Sequence, residues 1–347
     1  MWREKTQGLI RRELERDVRL NRAPEAILEP DLPIIDPHHH LWDDRPEPVS
    51  RYLLEDVLDD MSSGHNIEAS VFLQCASMYR QDGPDVLKPI GETEFVNGIA
   101  AMSDSGRYGR TRVAKGIVGY VDLAVGASVE EALHAHVRAA GERFKGIRFS
   151  TGADDDPVVG RHIRRKVPPN LLADSRLRQG FAKLAPLGLS FDTWLYFPQL
   201  QDVADLAAAF PETRIVLDHV GGLLGIGKYV DRQTVFREWS RALQAPAQHH
   251  NVFIKIGGLA MMTAGFGYGD QIEPVTSEQL AMDWSPYVKT CIDLFGPERC
   301  MFESNFPVDK VCSYATLWNA FKRVSADYSP SERQSLFSGT ARSFYRL

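Results

Sequence analysis

The chain has 347 residues, of which 44% are apolar and 25% charged, and its net charge is −6 at pH 7. This composition is typical of a globular protein long enough for one α/β barrel or two modest domains. The 40 basic residues are balanced by 46 acidic ones and form no sustained block, which excludes a nucleic-acid-binding footprint. A charged N-terminus and the lack of any run of roughly 18 apolar residues predict a cytoplasmic protein with no membrane partner.

Residues 1–33 are predicted to be an N-terminal helical extension and linker. Between Glu4 and Arg22 the apolar residues recur at helical spacing, which predicts an amphipathic helix on the outside of the fold. Pro24, Pro30 and Pro33 then interrupt regular structure and lead into the main domain. Residues 34–347 are expected to form that single domain.

In the main domain, short apolar runs alternate with helical patterns. The predicted strands lie at 34–40, 69–75, 113–122, 145–149, 189–195, 214–219, 252–256 and 300–305. Each is followed by a helix, the last two helices being at 317–324 and 331–345. Eight such units with continuously apolar strands predict a closed (β/α)8 TIM barrel, whose sites lie at the carboxyl ends of its strands. The alternative is an open doubly wound sheet, which the lack of an edge-like strand disfavours.

The first predicted strand ends in three consecutive histidines inside an apolar stretch. Because side chains alternate along a strand, His38 and His40 share one face with Asp36, and His39 takes the other. An H-x-H pair at a strand end can bind one metal ion, and imidazole suits Zn. The internal position of the run argues against a purification remnant.

Several other predicted strands also end in polar residues, which a core strand does not need. Their clustering predicts a site at the carboxyl rim of the barrel. The residues are Arg148 on strand four, Asp218 and His219 on strand six, Lys255 on strand seven, and Glu303 and Asn305 on strand eight.

These motifs resemble the amidohydrolase superfamily. The similar segments are Asp-x-His-x-His, Lys-Gly-Ile-Arg, Asp-His-Val-Gly-Gly, Lys-Ile-Gly-Gly-Leu and Ser-Asn-Phe-Pro, in that order. They are most similar to the amidohydrolase-2 branch, which includes sugar-acid lactonases and 2-pyrone-4,6-dicarboxylate lactonase. The resemblance runs from about Leu32 to the C-terminus. It implies that His38, His40 and His219 belong to a metal or substrate site, and that Arg148 anchors a substrate oxygen or carboxylate.

Strand eight departs from the family's Ser-Asp-Trp-Pro pattern, in which the Asp binds metal and acts as general base. Here the corresponding residue is Asn305, whose amide cannot accept a proton at neutral pH. Glu303, on the same face of the strand, and Asp309, in the loop beyond it, are the two candidate bases. An equally weighted interpretation makes Glu303 a structural carboxylate paired with a cation such as Lys255.

The predicted site therefore has a catalytic and a substrate-binding part. The catalytic residues are His38, His40, His219, Glu303, Asn305 and Asp309, and the substrate-binding residues are Arg148, Lys255 and Tyr268. The predicted cofactor is one divalent metal ion, most suitably Zn, on His38, His40 and His219. A metal-free site is the open alternative, since some lactonases of this branch polarise the carbonyl with Arg and His. A binuclear centre is not expected, because strand five carries no histidine.

Two long loops are predicted at the rim, at 150–170 and 259–284. The first either closes over an anionic ligand or pairs its own charges. The second, apolar and rich in glycine, suits a lid or the subunit contact of a homo-oligomer such as a homodimer. The four cysteines are expected to be reduced and buried. Six histidines are expected on the solvated surface: His65, His134, His136, His162, His249 and His250.

The predicted function is that of a hydrolase that opens a lactone or related cyclic ester of a small carboxylic acid. A carboxylate would activate water while a metal, or Arg148 with the histidines, polarises the carbonyl. Two alternatives stay open. One is a lyase, a metal-assisted decarboxylase or hydratase acting on an aromatic-derived acid. The other is a catalytically inactive barrel that binds a small acid.

Overall fold

The computed structural model describes residues 25–43, 45–46, 49–163, 165–271 and 273–347. The predicted helix between Glu4 and Arg22 lies outside the described residues. The division of the chain at residue 33 therefore stays a prediction.

Eight parallel strands form one sheet in sequence order. The strands are β1 Pro33–His39, β2 Asn66–Leu73, β3 Arg112–Gly119, β4 Phe144–Ser150, β5 Ser190–Trp194, β6 Ile215–Leu217, β7 Val252–Ile256 and β8 Cys300–Phe302. The segment after β8 returns to β1, where Asn305 N donates to His38 O and His40 N donates to Phe306 O, each at 2.9 Å. These bonds close the sheet, so the predicted TIM barrel is confirmed and the open sheet is excluded.

The helices follow the strands as predicted. They are α1 Leu54–Met61, α2 Ile90–Asp104, α3 Glu130–Ala140, α4 Ser175–Phe181, α5 Leu200–Ala209, α6 Arg232–Ala247, α7 Ser277–Phe295, α8 Tyr314–Val324, α9 Pro330–Gln334 and α10 Thr340–Tyr345. Helical turns at Pro157–Gly160 and His219–Gly222 lie within loops, and a π-helical turn at Ser335–Gly339 joins α9 to α10.

The long mobile loop predicted at 259–284 is shorter than expected, because helix α7 begins within it. The last eight residues of the predicted loop, 277–284, are helical. Thr276 caps this helix by accepting a hydrogen bond from Gln279 N. The buried side chains of Leu280 and Trp284 then fix this first part of the helix against the core. The loop is therefore confined to residues 259–276.

The barrel interior below the site is filled and closed by the C-terminal helix. Ile35, Val118, Val216 and Met301 form an apolar cluster with Tyr345 of α10. This packing seals the amino-terminal end of the barrel, so that the polar residues of the strands face the opposite end.

Two of the six histidines expected on the surface are buried. His65 binds the Lys322 ammonium through Nδ1 at 2.8 Å, and His136 lies 2.8 Å from Thr93 Oγ1. The prediction is wrong for these two, because neither the loop that contains His65 nor the helical pattern around His136 shows which polar residues meet another element. All four cysteines are buried and free, as predicted. Among the described residues, no helix is both long and apolar enough to cross a membrane.

Candidate active site

The centre of the site is the Glu303 carboxylate, just beyond β8. Its Oε2 lies 2.6 Å from His38 Nδ1, and its Oε1 lies 2.6 Å from His219 Nδ1 and accepts the His219 backbone N–H at 3.0 Å. All three side chains are buried. One carboxylate therefore orients both imidazole rings by the same nitrogen and leaves each Nε2 for other partners.

Two glycines after β7 make this close approach fit. A Cβ on Gly257 would lie 2.4 Å from Glu303 Cγ, and one on Gly258 would lie 2.4 Å from His219 Cβ. The Gly-Gly pair thus provides the space that Glu303 and His219 occupy. His219 itself has a φ of 55°, a left-handed conformation that turns its ring back toward the barrel.

The pKa values of the three buried groups are shifted in different directions. Burial raises the pKa of Glu303, but the two histidines outweigh this effect and hold the pKa well below its usual range. Burial lowers the pKa of His219, and the Glu303 carboxylate reverses the effect, so that this pKa is raised. The pKa of His38 is lowered well below its usual value by burial and by the nearby Lys255 ammonium. His219 is therefore the histidine that carries a proton most readily.

Lys255 of β7 lies beneath the histidines and is fully buried. Its Nζ lies 2.7 Å from Asp192 Oδ2, 3.1 Å from Asp218 Oδ1 and 3.3 Å from His38 Nδ1. Tyr345 donates its hydroxyl to the same oxygen of Asp192. The predicted contact of Lys255 with substrate stays a prediction, while the structure commits its ammonium to two carboxylates.

Arg148 of β4 reaches the site from the side of β2. Its Nε donates to Gln74 Oε1 at 3.3 Å, and Nη2 donates to the Gln74 carbonyl. Its Nη1 lies 3.3 Å from His38 Nε2 and 3.8 Å from Asp218 Oδ2. Gln74 therefore fixes the guanidinium plane so that one nitrogen points at the site.

His40, Asn305 and Asp309 lie in a line on the far side of the site. His40 Nδ1 donates to Leu73 O at 2.8 Å, and its Nε2 lies 3.3 Å from Asn305 Oδ1. Asn305 Nδ2 donates to Asp309 Oδ1 at 3.1 Å. Burial raises the pKa of Asp309 to about 7, against the lowering effect of His219. Asp309 is thus a buried carboxyl group that can gain or lose a proton near neutral pH.

The predicted loop residues lie farther from this centre. The Tyr268 hydroxyl donates to Asp283 Oδ2 of α7 at 3.0 Å, and its ring stacks on Phe266. Its predicted role in substrate binding stays a prediction. In the loop at 150–170, Arg165 pairs with Asp122, while Asp154 and Asp155 bind Lys228. These pairings, among the described residues of the loop, join it to its surroundings, and its predicted role over an anionic ligand stays a prediction.

Sequence reasoning missed Asp192 and Trp194, and it placed Asp218 at the barrel rim without assigning it a partner. Asp192 and Asp218 bind Lys255, and Trp194 packs edge-on against the His219 ring with centroids 5.0 Å apart. The signal for Asp192 was a carboxylate inside an apolar strand, which requires a buried cation. Trp194 carried no comparable signal, because an aromatic residue in a strand is ordinary core material.

One group of described residues could hold a metal ion: His38, Asp218 and His219, whose ligand atoms lie within 4.8 Å of one another. This group contains Asp218 in place of His40, which the sequence predicts as the third metal ligand. Both histidines of this group present Nδ1 to Glu303, and Asp218 Oδ1 is bound by the Lys255 ammonium. Arg148 covers His38 Nε2. A metal ion would have to displace a cation already in place, so the residues fit a metal poorly.

Residues 35–347 match the amidohydrolase family, and the chain belongs to it. A Sinorhizobium fredii protein named uncharacterized protein y4mH is 35% identical, over 91% of this chain and 99% of that protein. An L-fucono-1,5-lactonase of Burkholderia ambifaria is 26% identical, over 78% of this chain and 87% of the lactonase. A Burkholderia multivorans amidohydrolase crystallised with bound Zn has the same fold, at a TM-score of 0.69 and 24% identity over 90% of this chain and 99% of its own. The predicted family is confirmed, and the chain is an enzyme of that family.

Proposed function

We propose that this enzyme hydrolyses the lactone of a small hydroxy acid, with a sugar-acid lactone as the first class to test. The observation that carries the proposal is the Glu303 bridge, which raises the pKa of His219. The His219 ring lies next to the ring of His38, whose Nε2 is 3.3 Å from Arg148 Nη1. Two adjacent positive groups suit the carbonyl oxygen of a lactone, where negative charge develops during attack by water. The lactonase names of relatives such as the Burkholderia ambifaria protein support this substrate class.

In the proposed reaction, Asp309 takes a proton from the attacking water. The water oxygen bonds to the carbonyl carbon, and the developing oxyanion accepts hydrogen bonds from His219 and Arg148. Collapse of the tetrahedral intermediate breaks the bond to the ring oxygen, which receives the proton from Asp309. One lactone and one water thus give one hydroxy acid. Asp309 suits this role because its pKa of about 7 allows both proton transfers.

Glu303, the other candidate base, is assigned a positioning role instead. Its lowered pKa makes it a weak proton acceptor, and both of its oxygens face imidazole nitrogens. This assignment favours the structural interpretation of Glu303, with histidines rather than Lys255 as its partners.

The test is a screen of five- and six-membered sugar-acid lactones with a pH-indicator assay, because hydrolysis releases a proton as the acid forms. We expect turnover of at least one lactone by the wild type and a loss of about 10² or more in kcat for Asp309→Asn. Aromatic-derived acids assayed for CO2 release test the lyase alternative. Tight acid binding without any turnover would instead support the inactive barrel and contradict the proposal.

A further inference from the structure

We propose that the Lys255 ammonium is the resident cation of this site, placed where a metal ion would contact Asp218 and His38. The position beside Asp218 is then already filled by a cation of the chain itself. This inference concerns the cation alone and does not depend on which ester the enzyme hydrolyses.

The distances support this placement. Lys255 Nζ lies 3.1 Å from Asp218 Oδ1 and 3.3 Å from His38 Nδ1, which belong to two of the three residues that could share a metal ion. Asp192 Oδ2 lies 2.7 Å from the same ammonium. A divalent ion bound to the same Asp218 oxygen would be within a few ångströms of a fixed positive charge in a fully buried place. Repulsion at that separation is strong where water cannot screen it.

The carboxylates around Lys255 are already paired with side-chain cations. Asp192 and Asp218 both lie within ion-pair distance of Lys255, and Asp218 Oδ2 also lies 3.8 Å from Arg148 Nη1. A metal ion on Asp218 would therefore add positive charge beside two cations in a buried place.

The C-terminal helix fixes the cation. Tyr345 of α10 donates its hydroxyl to Asp192 and packs in the apolar cluster that seals the barrel. Asp192 is thereby held toward Lys255 of β7. An ammonium fixed on three sides cannot move aside for a metal as a surface lysine can.

The first experiment uses the full-length wild type. The protein is incubated with excess ZnCl2, desalted and measured for Zn content, and a parallel sample is dialysed against a strong chelator. We expect far less than one Zn per chain and an unchanged far-UV and near-UV circular dichroism spectrum after chelation. One Zn per chain that survives desalting would overturn the proposal. Neither readout uses a substrate, so this result is separable from the outcome of the lactone screen.

The second experiment removes the cation. Lys255→Met keeps much of the side-chain volume without the charge, and Co²⁺ is the spectroscopic probe because its visible absorption reports ligand geometry. We expect Co²⁺ affinity to rise by at least about a hundredfold over wild type, since a buried repelling charge is gone. The control Lys255→Met with Asp218→Asn should lose this gain. A folded Lys255→Met variant with wild-type Co²⁺ affinity would overturn the role of Lys255. If it does not fold, the Zn content of the wild type decides.

Discussion

Glu303 binds His219 twice through one oxygen, accepting its backbone N–H at 3.0 Å and lying 2.6 Å from its ring Nδ1. The backbone contact fixes where His219 begins its left-handed turn, and the ring contact fixes how the imidazole faces. A shared partner for backbone and ring makes the position of the ring depend on a single carboxylate. The orientation and the charge of His219 are therefore coupled.

Glu303→Gln is expected to lower the pKa of His219, because the carboxylate is what raises it against burial. A histidine with a raised pKa stabilises the fold below its unfolded pKa, and this stabilisation is lost as the pH rises through the folded pKa. The variant should therefore lose stability mainly at low pH. Its free energy of unfolding should also change less than that of wild type as the pH rises. Histidine NMR titration and urea unfolding from pH 5 to 8 measure the two effects. Asp122→Asn, at a surface pair, is the control. An unchanged His219 titration would contradict the coupling.

The barrel and its rim were predictable because both depend on local patterns. Eight apolar runs set the strands, and a polar residue at a strand end such as Arg148 shows itself by its position. The Glu303 bridge was not predictable, since it joins β1, β6 and β8 across 265 residues of sequence. The alternation of side chains along a strand placed Glu303 and Asn305 on one face. It did not show how deep in the barrel either side chain lies. That depth depends on Gly257 and Gly258, which leave space for Glu303 and His219. In a sequence, a glycine indicates backbone flexibility and not which side chain will fill the space beside it.

Arg148→Ala is expected to lower kcat and kcat/KM by similar factors. In the proposed reaction its guanidinium donates to the oxyanion, and Gln74 fixes that guanidinium before any ligand arrives, so the interaction is gained mainly in the transition state. Gln74→Leu should show a weaker form of the same change, because it loosens the guanidinium without removing it. Steady-state kinetics on the best lactone of the screen give both constants. A rise in KM with kcat unchanged would show instead that Arg148 only anchors the substrate.

Glu92→Gln is expected to make stability less dependent on pH. Burial raises the pKa of Glu92 to about 7, although its Oε1 accepts hydrogen bonds from Cys75 N and Ser77 N. A carboxyl group with a raised pKa destabilises the fold as the pH climbs from its unfolded value through the folded one. Wild type should therefore lose about 2 to 3 kcal/mol between pH 5 and 8 that the variant retains. Urea unfolding at both pH values measures this, and equal slopes for the two proteins would refute it.

Asp309→Asn tests the proposed base. The amide keeps an oxygen for Asn305 Nδ2, which now lies 3.1 Å from Asp309 Oδ1, so the hydrogen bond and the fold should survive. The proton acceptor is lost, and kcat should fall by about 10² to 10⁴. In wild type, kcat/KM should rise with pH through about 7 as Asp309 ionises, and this limb should vanish in the variant.

The informative partner is the exchange variant Asn305→Asp with Asp309→Asn, which moves the carboxylate along the same line to the position next to His40. We expect the exchange to recover part of the lost kcat, with a limb at a different pH, because the carboxylate then has His40 beside it. Asn305→Asp alone places two carboxylates 3.1 Å apart and should raise the pKa of the pair. A full wild-type pH profile in Asp309→Asn would assign the base elsewhere. Loss of activity in the exchange variant with an intact fold would show that the position of the carboxylate, and not only its presence, determines catalysis.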